Sequence, residues 1–355
     1  MIEPSDILKF LLRQIDGKGK PYENTVRYSV VRFLLAVIEG SPVKAEDKAL
    51  LRGAESFDKK IFIEPFLGAV NVLFIIEPEI EKRIFEDEYL LPELNTYIAE
   101  SANIAISSNI FDFAHGASGM LFYLKSVNSS EILCLKSRFV SGVRNYVDKR
   151  AYTLTENPQY LLSKLTDTLI GIYLNKSDEL EETELIDTID TCFNAMFSFW
   201  QEVNHEDQKY LFLGRNLEYP TLKGLLTWCE GDIQKAIVTI VYSVLKNNKP
   251  LYKTGLLLGL HTLILPDLFE DNIDGVDFYS GALGPYYGYK LLYDFTDDIN
   301  FLEASDLWMS RLEANLSRII YAQKELSFQE IMMIATCYAF VNQKSQYNDY
   351  TREIF

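Results

Sequence analysis

Apolar residues recur along this chain at helical spacing, and that period constrains the fold more than any other feature. Ile7, Leu8, Leu11, Leu12 and Ile15 fall on one face of a helix, and Val30, Phe33, Leu34, Val37 and Ile38 fall on one face of another. The same spacing predicts helices over 136–150, 183–200, 231–246, 286–295, 301–324 and 327–341, while the strict alternation of a half-buried strand is scarce. Short polar joints, Val127-Asn128-Ser129-Ser130 and Lys246-Asn247-Asn248-Lys249-Pro250, read as loops between antiparallel helices. The expected class is all-α.

Charge narrows the function. Against 34 basic side chains stand 51 acidic ones, a net charge of −17, so phosphate neutralisation on a nucleic acid is not expected. Hydrophobic residues make up 48% of the 355, enough to bury a core, which excludes disorder over the whole chain. No Gly/Ser-rich or Pro-rich linker divides the chain, so composition marks no domain boundary. Met1-Ile2-Glu3-Pro4-Ser5-Asp6 carries no basic n-region, which speaks against a secretory signal. The longest apolar tracts, near 236–245 and 255–265, fall short of the ~18 to 20 residues that span a bilayer. Cys134, Cys192, Cys229 and Cys337 lie far apart with no paired spacing. A cytoplasmic protein without a membrane span is expected.

Small residues recur where helices begin. Phe113-Ala114-His115-Gly116-Ala117-Ser118-Gly119-Met120, Trp228-Cys229-Glu230-Gly231-Asp232 and Phe278-Tyr279-Ser280-Gly281-Ala282-Leu283-Gly284 each precede an apolar run. Their intervals suit a repeat of about 50 residues, one helical hairpin each, with one unmarked repeat between the first two. Residues without bulk let backbones approach where several helices start, and the free N–H groups of each first turn would then face one cavity. Gly116, Gly231 and Gly281 are therefore expected at the starts of inner helices whose N-termini converge.

These stretches resemble a known family. Phe111-Asp112-Phe113-Ala114-His115-Gly116-Ala117-Ser118-Gly119-Met120 is similar to the Asp-bearing repeat of the lanthionine synthetase C-like family, the lantibiotic cyclases, and Thr227-Trp228-Cys229-Glu230-Gly231-Asp232 is similar to its Trp-Cys-x-Gly segment. The resemblance implies a single domain over 1–355, an α/α toroid of consecutive hairpins, and a cytoplasmic enzyme of lantibiotic biosynthesis. Its substrate would be a dehydrated precursor peptide, delivered by a dehydratase partner, in which a Cys thiol adds to dehydroalanine or dehydrobutyrine. Active members use zinc to hold the thiolate. Here Cys229 matches one zinc ligand, but Tyr279 and Ser280 stand where the family carries Cys-His, and Lys164 falls where its His repeat would lie. The resemblance thus implies a degenerate zinc site, with no cofactor and either metal-independent ring formation or a non-catalytic peptide-binding or scaffold role.

For metal-free chemistry the candidate catalytic residues are Asp112 and His115, three apart at a helix start. Each has a plainer reading: Asp112 as a capping carboxylate, His115 as a polar helix-end residue. Cys229 reads as a lone ligand, a nucleophile or a packing residue. Glu230, Asp232 and Asp277 could gather as paired carboxylates, the requirement of glycoside hydrolysis. His205 reads as a surface residue and His261 as a hydrogen-bonded core histidine. Cys134, Cys192 and Cys337 read as buried thiols, and the acidic run 178–184 as a solvated helix start.

Because a catalytic zinc needs three protein ligands, zinc affinity is expected to be weak and unchanged by Cys229→Ala. Metal analysis finding one tightly held zinc per chain, lost on that substitution, would contradict this.

Overall fold

A computed structural model describes residues 3–16, 22–52, 59–76, 78–86, 92–127, 129–150, 158–175, 182–198, 200–205, 208–213, 224–228, 231–264, 269–270, 273–322 and 325–342. The chain is all-α in class. In order it forms α1 (Pro4–Asp16), α2 (Tyr22–Ile38), α3 (Ala45–Arg52), α4 (Lys59–Ile76), α5 (Pro78–Glu86) and α6 (Pro92–Ser107). There follow α7 (Ala117–Tyr123), α8 (Ser130–Arg150), α9 (Pro158–Leu174), α10 (Glu182–Phe197), α11 (Asp232–Leu245), α12 (Lys249–Ile264), α13 (Leu283–Thr296), α14 (Ile299–Tyr321) and α15 (Phe328–Asn342). Two small sheets interrupt the helices: β1 (Trp200–His205) pairs antiparallel with β2 (Gln208–Leu213), and β3 (Gly224–Leu225) pairs parallel with β4 (Phe269–Glu270). Among the described residues no helix is long and apolar enough to cross a membrane.

Every helix predicted from periodicity is present, as α1, α2, α8, α10, α11, α13, α14 and α15. Several boundaries differ, α8 beginning at Ser130 rather than at 136 and α13 at Leu283 rather than at 286. The helix expected to run through Trp200 ends at Phe197, where the Ser198 hydroxyl donates to the Ala195 carbonyl at 2.7 Å. The chain then enters β1, whose register runs from Trp200↔Leu213 to His205↔Gln208.

Contacts divide the chain into two compact units, one holding the described residues of 1–98 and 310–348, the other those of 99–309. In the first, α15 is the central helix, packed on α1, α2 and α4. Its apolar residues continue around the whole circumference, and a helix of that kind is stable only when surrounded: Ile331, Met332 and all of 334–341 are buried. A reciprocal capping box starts it, Glu330 N–H donating to Ser327 Oγ at 3.2 Å and Ser327 N–H to Glu330 Oε2 at 2.7 Å. The α2 terminus is closed by Gly40 at φ +63°, with Ser41 N–H reaching the Ala36 carbonyl and Arg83 Nη1 donating to the Val37 carbonyl at 2.9 Å.

In the second unit α11 takes the central place. Residues 232–243 are buried without a break, against α9, α12 and α13. The α11–α12 contact is close because Gly255 faces Ile240: a Cβ there would lie 2.7 Å from Ile240 Cγ1, 3.0 Å from Ile240 N and 3.2 Å from the Ala236 carbonyl oxygen. Gly255→Val is therefore expected to lower stability by about 1–3 kcal/mol through overpacking. Leu257→Ala, at a residue 43% exposed on the same helix, should stay within about 0.5 kcal/mol. Urea denaturation of the two variants checks the contrast.

Candidate functional site: three glycine-closed loops

Helix α6 ends in a Schellman motif with Asn109 left-handed at φ 58°, Ile110 N–H bonding to the Ala105 carbonyl at 2.9 Å. The chain then turns tightly back on itself before α7. The Ile110 carbonyl accepts the Ala117 N–H at 2.9 Å, the Asp112 carbonyl accepts the Gly116 N–H at 3.1 Å, and Asp112 Oδ1 accepts the His115 N–H at 2.8 Å. Gly116 is required for its lack of a side chain: a Cβ would stand 2.6 Å from the Asp112 carbonyl oxygen and 2.7 Å from the Ile110 one. Its φ of −107° is open to any residue.

The same turn is built again before α13. The Gly275 carbonyl accepts the Ala282 N–H at 3.0 Å, Asp277 Oδ1 accepts the Ser280 N–H at 2.7 Å, and a Cβ on Gly281 would lie 2.3 Å from Asp277 N. The two loops share a pattern legible in the sequence but missed by composition and periodicity: Asp-Phe-x-x-Gly-Ala-x-Gly at 112–119 and again at 277–284. Before α11 the related segment keeps the spacing with Thr227 and Trp228 in the Asp-Phe positions, and a Cβ on Gly231 would lie 2.1 Å from the Thr227 carbonyl oxygen. All three glycines thus stand where helices begin, as expected.

The loops also meet. Trp228 and Phe278 rings lie 4.7 Å apart, and a Cβ on Gly284 would touch Trp228 Cβ at 2.9 Å, so the approaches to α11 and α13 are packed together. The first loop is joined to α11 through a residue that sequence reasoning did not single out, Asp167 on α9. Its Oδ2 accepts the Phe113 N–H at 2.5 Å and the Ala114 N–H at 3.3 Å, and its Oδ1 accepts from Gln234 Nε2 of α11 at 3.2 Å. Asn175, at the end of α9, adds a 2.8 Å bond from Nδ2 to the Ser118 carbonyl. The available signal was a carboxylate inside the apolar run Leu165-Thr166-Asp167-Thr168-Leu169-Ile170.

Asp167 is buried, and its carboxyl is pushed up to about 7. Burial, which disfavours the charged form, is the main cause, and the neighbouring Asp112 charge adds to it; the bonds from Phe113, Ala114 and Gln234 act the other way. Beside Gln234 lies a buried ion pair, Lys235 Nζ to Asp232 Oδ1 at 2.6 Å.

The candidate residues are placed as follows. Asp112 is half-buried and His115 exposed, on one loop. Lys164 is half-buried on α9, and the side chain of that helix that grips the loop is Asp167, one turn further on. Asp232 is bound to Lys235, and Asp277 lies in a different loop from Asp232, bonded to Ser280. Cys229 and Glu230 lie outside the described residues. The Ser280 hydroxyl donates to the Asp277 carboxylate at 3.0 Å, and Tyr279 sets its ring edge-on to Phe278. Neither supplies the thiolate or imidazole that a zinc site needs, and among the described residues no three His, Cys, Asp or Glu side chains gather as a metal site. His205 ends β1, and His261 is buried in α12. Cys192 and Cys337 are buried, but Cys134, expected inside, is exposed on α8, whose buried positions nearby are Ile132, Leu135 and Lys136. Of the acidic run, 178–181 lie outside the described residues, while Glu182 and Glu184 stand in the first turn of α10.

In comparison with known proteins, no family model matches the chain and no curated protein matches it.

The Asp167 carboxyl makes stability depend on pH. In the unfolded chain it titrates near its ordinary value of about 4, and in the fold at about 7. Between these the folded state holds a proton that the unfolded chain has released, so this residue's contribution to stability falls as pH rises from about 4 to 7 and levels off above. Asp167→Asn removes the ionisation. Relative to wild type, the variant is expected to gain stability on going from pH 5 to pH 8, by roughly 2–3 kcal/mol. Urea midpoints at the two pH values measure this, and a difference unchanged by pH would refute it.

Proposed function

We propose that this chain is a lanthionine synthetase C-like protein, an α/α toroid, that acts on a dehydrated ribosomal peptide and closes thioether rings without bound zinc. The observation that carries the reading is the loop of Asp112 and His115, one of three glycine-closed loops gathered at helix starts. A dehydratase would supply the peptide, since the substrate must already contain dehydroalanine or dehydrobutyrine.

The chemistry needs one proton moved twice. A base takes the proton of the peptide thiol, the thiolate forms an S–C bond to the β-carbon of the dehydro residue, and an acid returns a proton to the α-carbon as the enolate collapses. At pH 7 a thiol of pKa ~8.5 is only a few per cent ionised, so the proton acceptor limits the rate. Asp112 and His115 are the acid–base pair we assign to this role. The exposed imidazole is open to a bound peptide, and the half-buried carboxylate lies beside the same loop backbone. N–H groups at the starts of the helices would stabilise the enolate oxygen, as in an oxyanion site.

A second reading has its own support. Asp277 performs for its loop the backbone-capping task that Asp112 performs for the first. A carboxylate needed to close a turn requires no catalytic explanation, and this favours a non-catalytic peptide-binding or scaffold subunit of a peptide-modifying complex.

Incubation with a dehydrated, Cys-containing peptide, followed by thiol capping and mass analysis, separates the two. Under the cyclase reading ring closure is accelerated and rises with pH until the substrate thiol ionises, and Asp112→Asn and His115→Ala each slow it by roughly 10²-fold or more. Binding with cyclisation at the uncatalysed rate would establish the scaffold. Acceleration that survives both substitutions would place the chemistry on other residues.

A further inference from the structure

The Asp167 side chain touches both the 110–117 loop and α11, and its surroundings contain a mismatch. Its Oδ1 accepts from Gln234 Nε2, yet Gln234 Oε1, on a side chain 1% exposed, has no hydrogen-bond partner among the described residues. An amide turned over by 180° would point that oxygen at Asp167 Oδ1 instead, an arrangement that suits a carboxylic acid and repels a carboxylate. Oδ2 is not involved in the exchange, because in either protonation state it can accept the Phe113 and Ala114 N–H groups.

We infer that Asp167 is the positioning residue of the 110–117 loop and that Gln234 is its proton-dependent partner. Ionised, Asp167 accepts from the Gln234 NH2 group; protonated, it donates from Oδ1 to the Gln234 oxygen, and in both states Oδ2 keeps the loop in place. The exchange falls in the neutral range, since burial and the Asp112 charge hold the carboxyl at about 7. The ionisable groups around it are Asp112 and His115 on the loop itself, Lys164 and Tyr173 on α9, and those of the helices packed against α9. On α11 Asp232 and Lys235 bind each other, and burial raises the Tyr242 phenol well above neutrality. The buried ionisable residue of α10, Cys192, is raised to about 12, and that of α7, Tyr123, is held neutral by burial as well. The loop would thus stay fixed across the pH range in which a substrate thiol begins to ionise, while α11 senses the proton through Gln234. The inference rests on the proposed function only in taking this loop as the reactive one.

NMR of the full-length protein, with 13C-labelled Asp and 15N-labelled Gln, tests it between pH 5 and 9. The Asp167 carboxyl carbon and the Gln234 side-chain amide are expected to titrate with one common midpoint near 7. Hydrogen-exchange protection factors of the Phe113 and Ala114 amides should stay level throughout. In Asp167→Asn the new NH2 group can donate to Gln234 Oε1, so the Gln234 signal should stop titrating while loop protection remains. In Asp167→Leu the two amides lose their acceptor, and their protection should fall tenfold or more. A midpoint near 4, a Gln234 signal that ignores the titration, or protection unaffected by Asp167→Leu would each overturn the inference. Should Asp167→Leu not fold, the titration and the Asn variant still decide. No substrate enters these measurements, so an absence of cyclisation would count against the proposed function and leave this result standing.

Discussion

The second unit depends on backbone lying against backbone at three glycines. At Gly116, Gly231 and Gly281 the nearest atoms to a would-be Cβ belong to main chain four to six residues earlier, at 2.1 to 3.0 Å. Main chain cannot rotate aside as a side chain can, so these contacts permit no other residue without movement of the turn. Each turn also holds a buried aromatic ring three residues before its glycine, at Phe113, Trp228 and Phe278.

Once helices are delivered to a common point, their polar ends must be satisfied there, and Asp167 is the residue that does this for the first loop. Its position is costly in the ionised state, because burial opposes the charge and Asp112 adds repulsion. Three hydrogen bonds offset part of that cost. The buried Asp232–Lys235 pair nearby follows the opposite rule, each charge neutralised by the other. Two solutions to burying a carboxylate therefore lie close together, one by hydrogen bonds alone and one by an ion pair.

The repeated loop also bears on how Asp112 is read. The Asp-Phe-x-x-Gly-Ala-x-Gly pattern places an equivalent carboxylate at Asp277, and both accept the N–H three residues on. What separates the two positions is their surroundings. Asp112 shares its loop with the exposed His115 and lies near the raised carboxyl of Asp167, while Asp277 is bonded to the Ser280 hydroxyl. Any difference in chemistry between the loops has to come from those neighbours.

The sequence by itself determined the all-α class, eight of the helices and the glycine turns. Periodic burial is a local property, and α1, α2, α8, α10, α11, α13, α14 and α15 follow directly from it. Gly116, Gly231 and Gly281 were legible because a requirement for no side chain admits one residue type. Asp112 and His115 were legible as a pair because both belong to a single turn. The partnership of Asp167 with that turn and with Gln234 was decided by tertiary structure alone: it joins positions 54 and 67 residues apart, and no local pattern marks an acceptor aimed at distant backbone N–H groups. Cys134 differed for a related reason, since an apolar helical context fixes the period of burial but a cysteine near the edge of the buried face can turn either way. Local periodicity specifies which residues are able to be inside, and only the packing of one helix on another selects the charges that are buried with them.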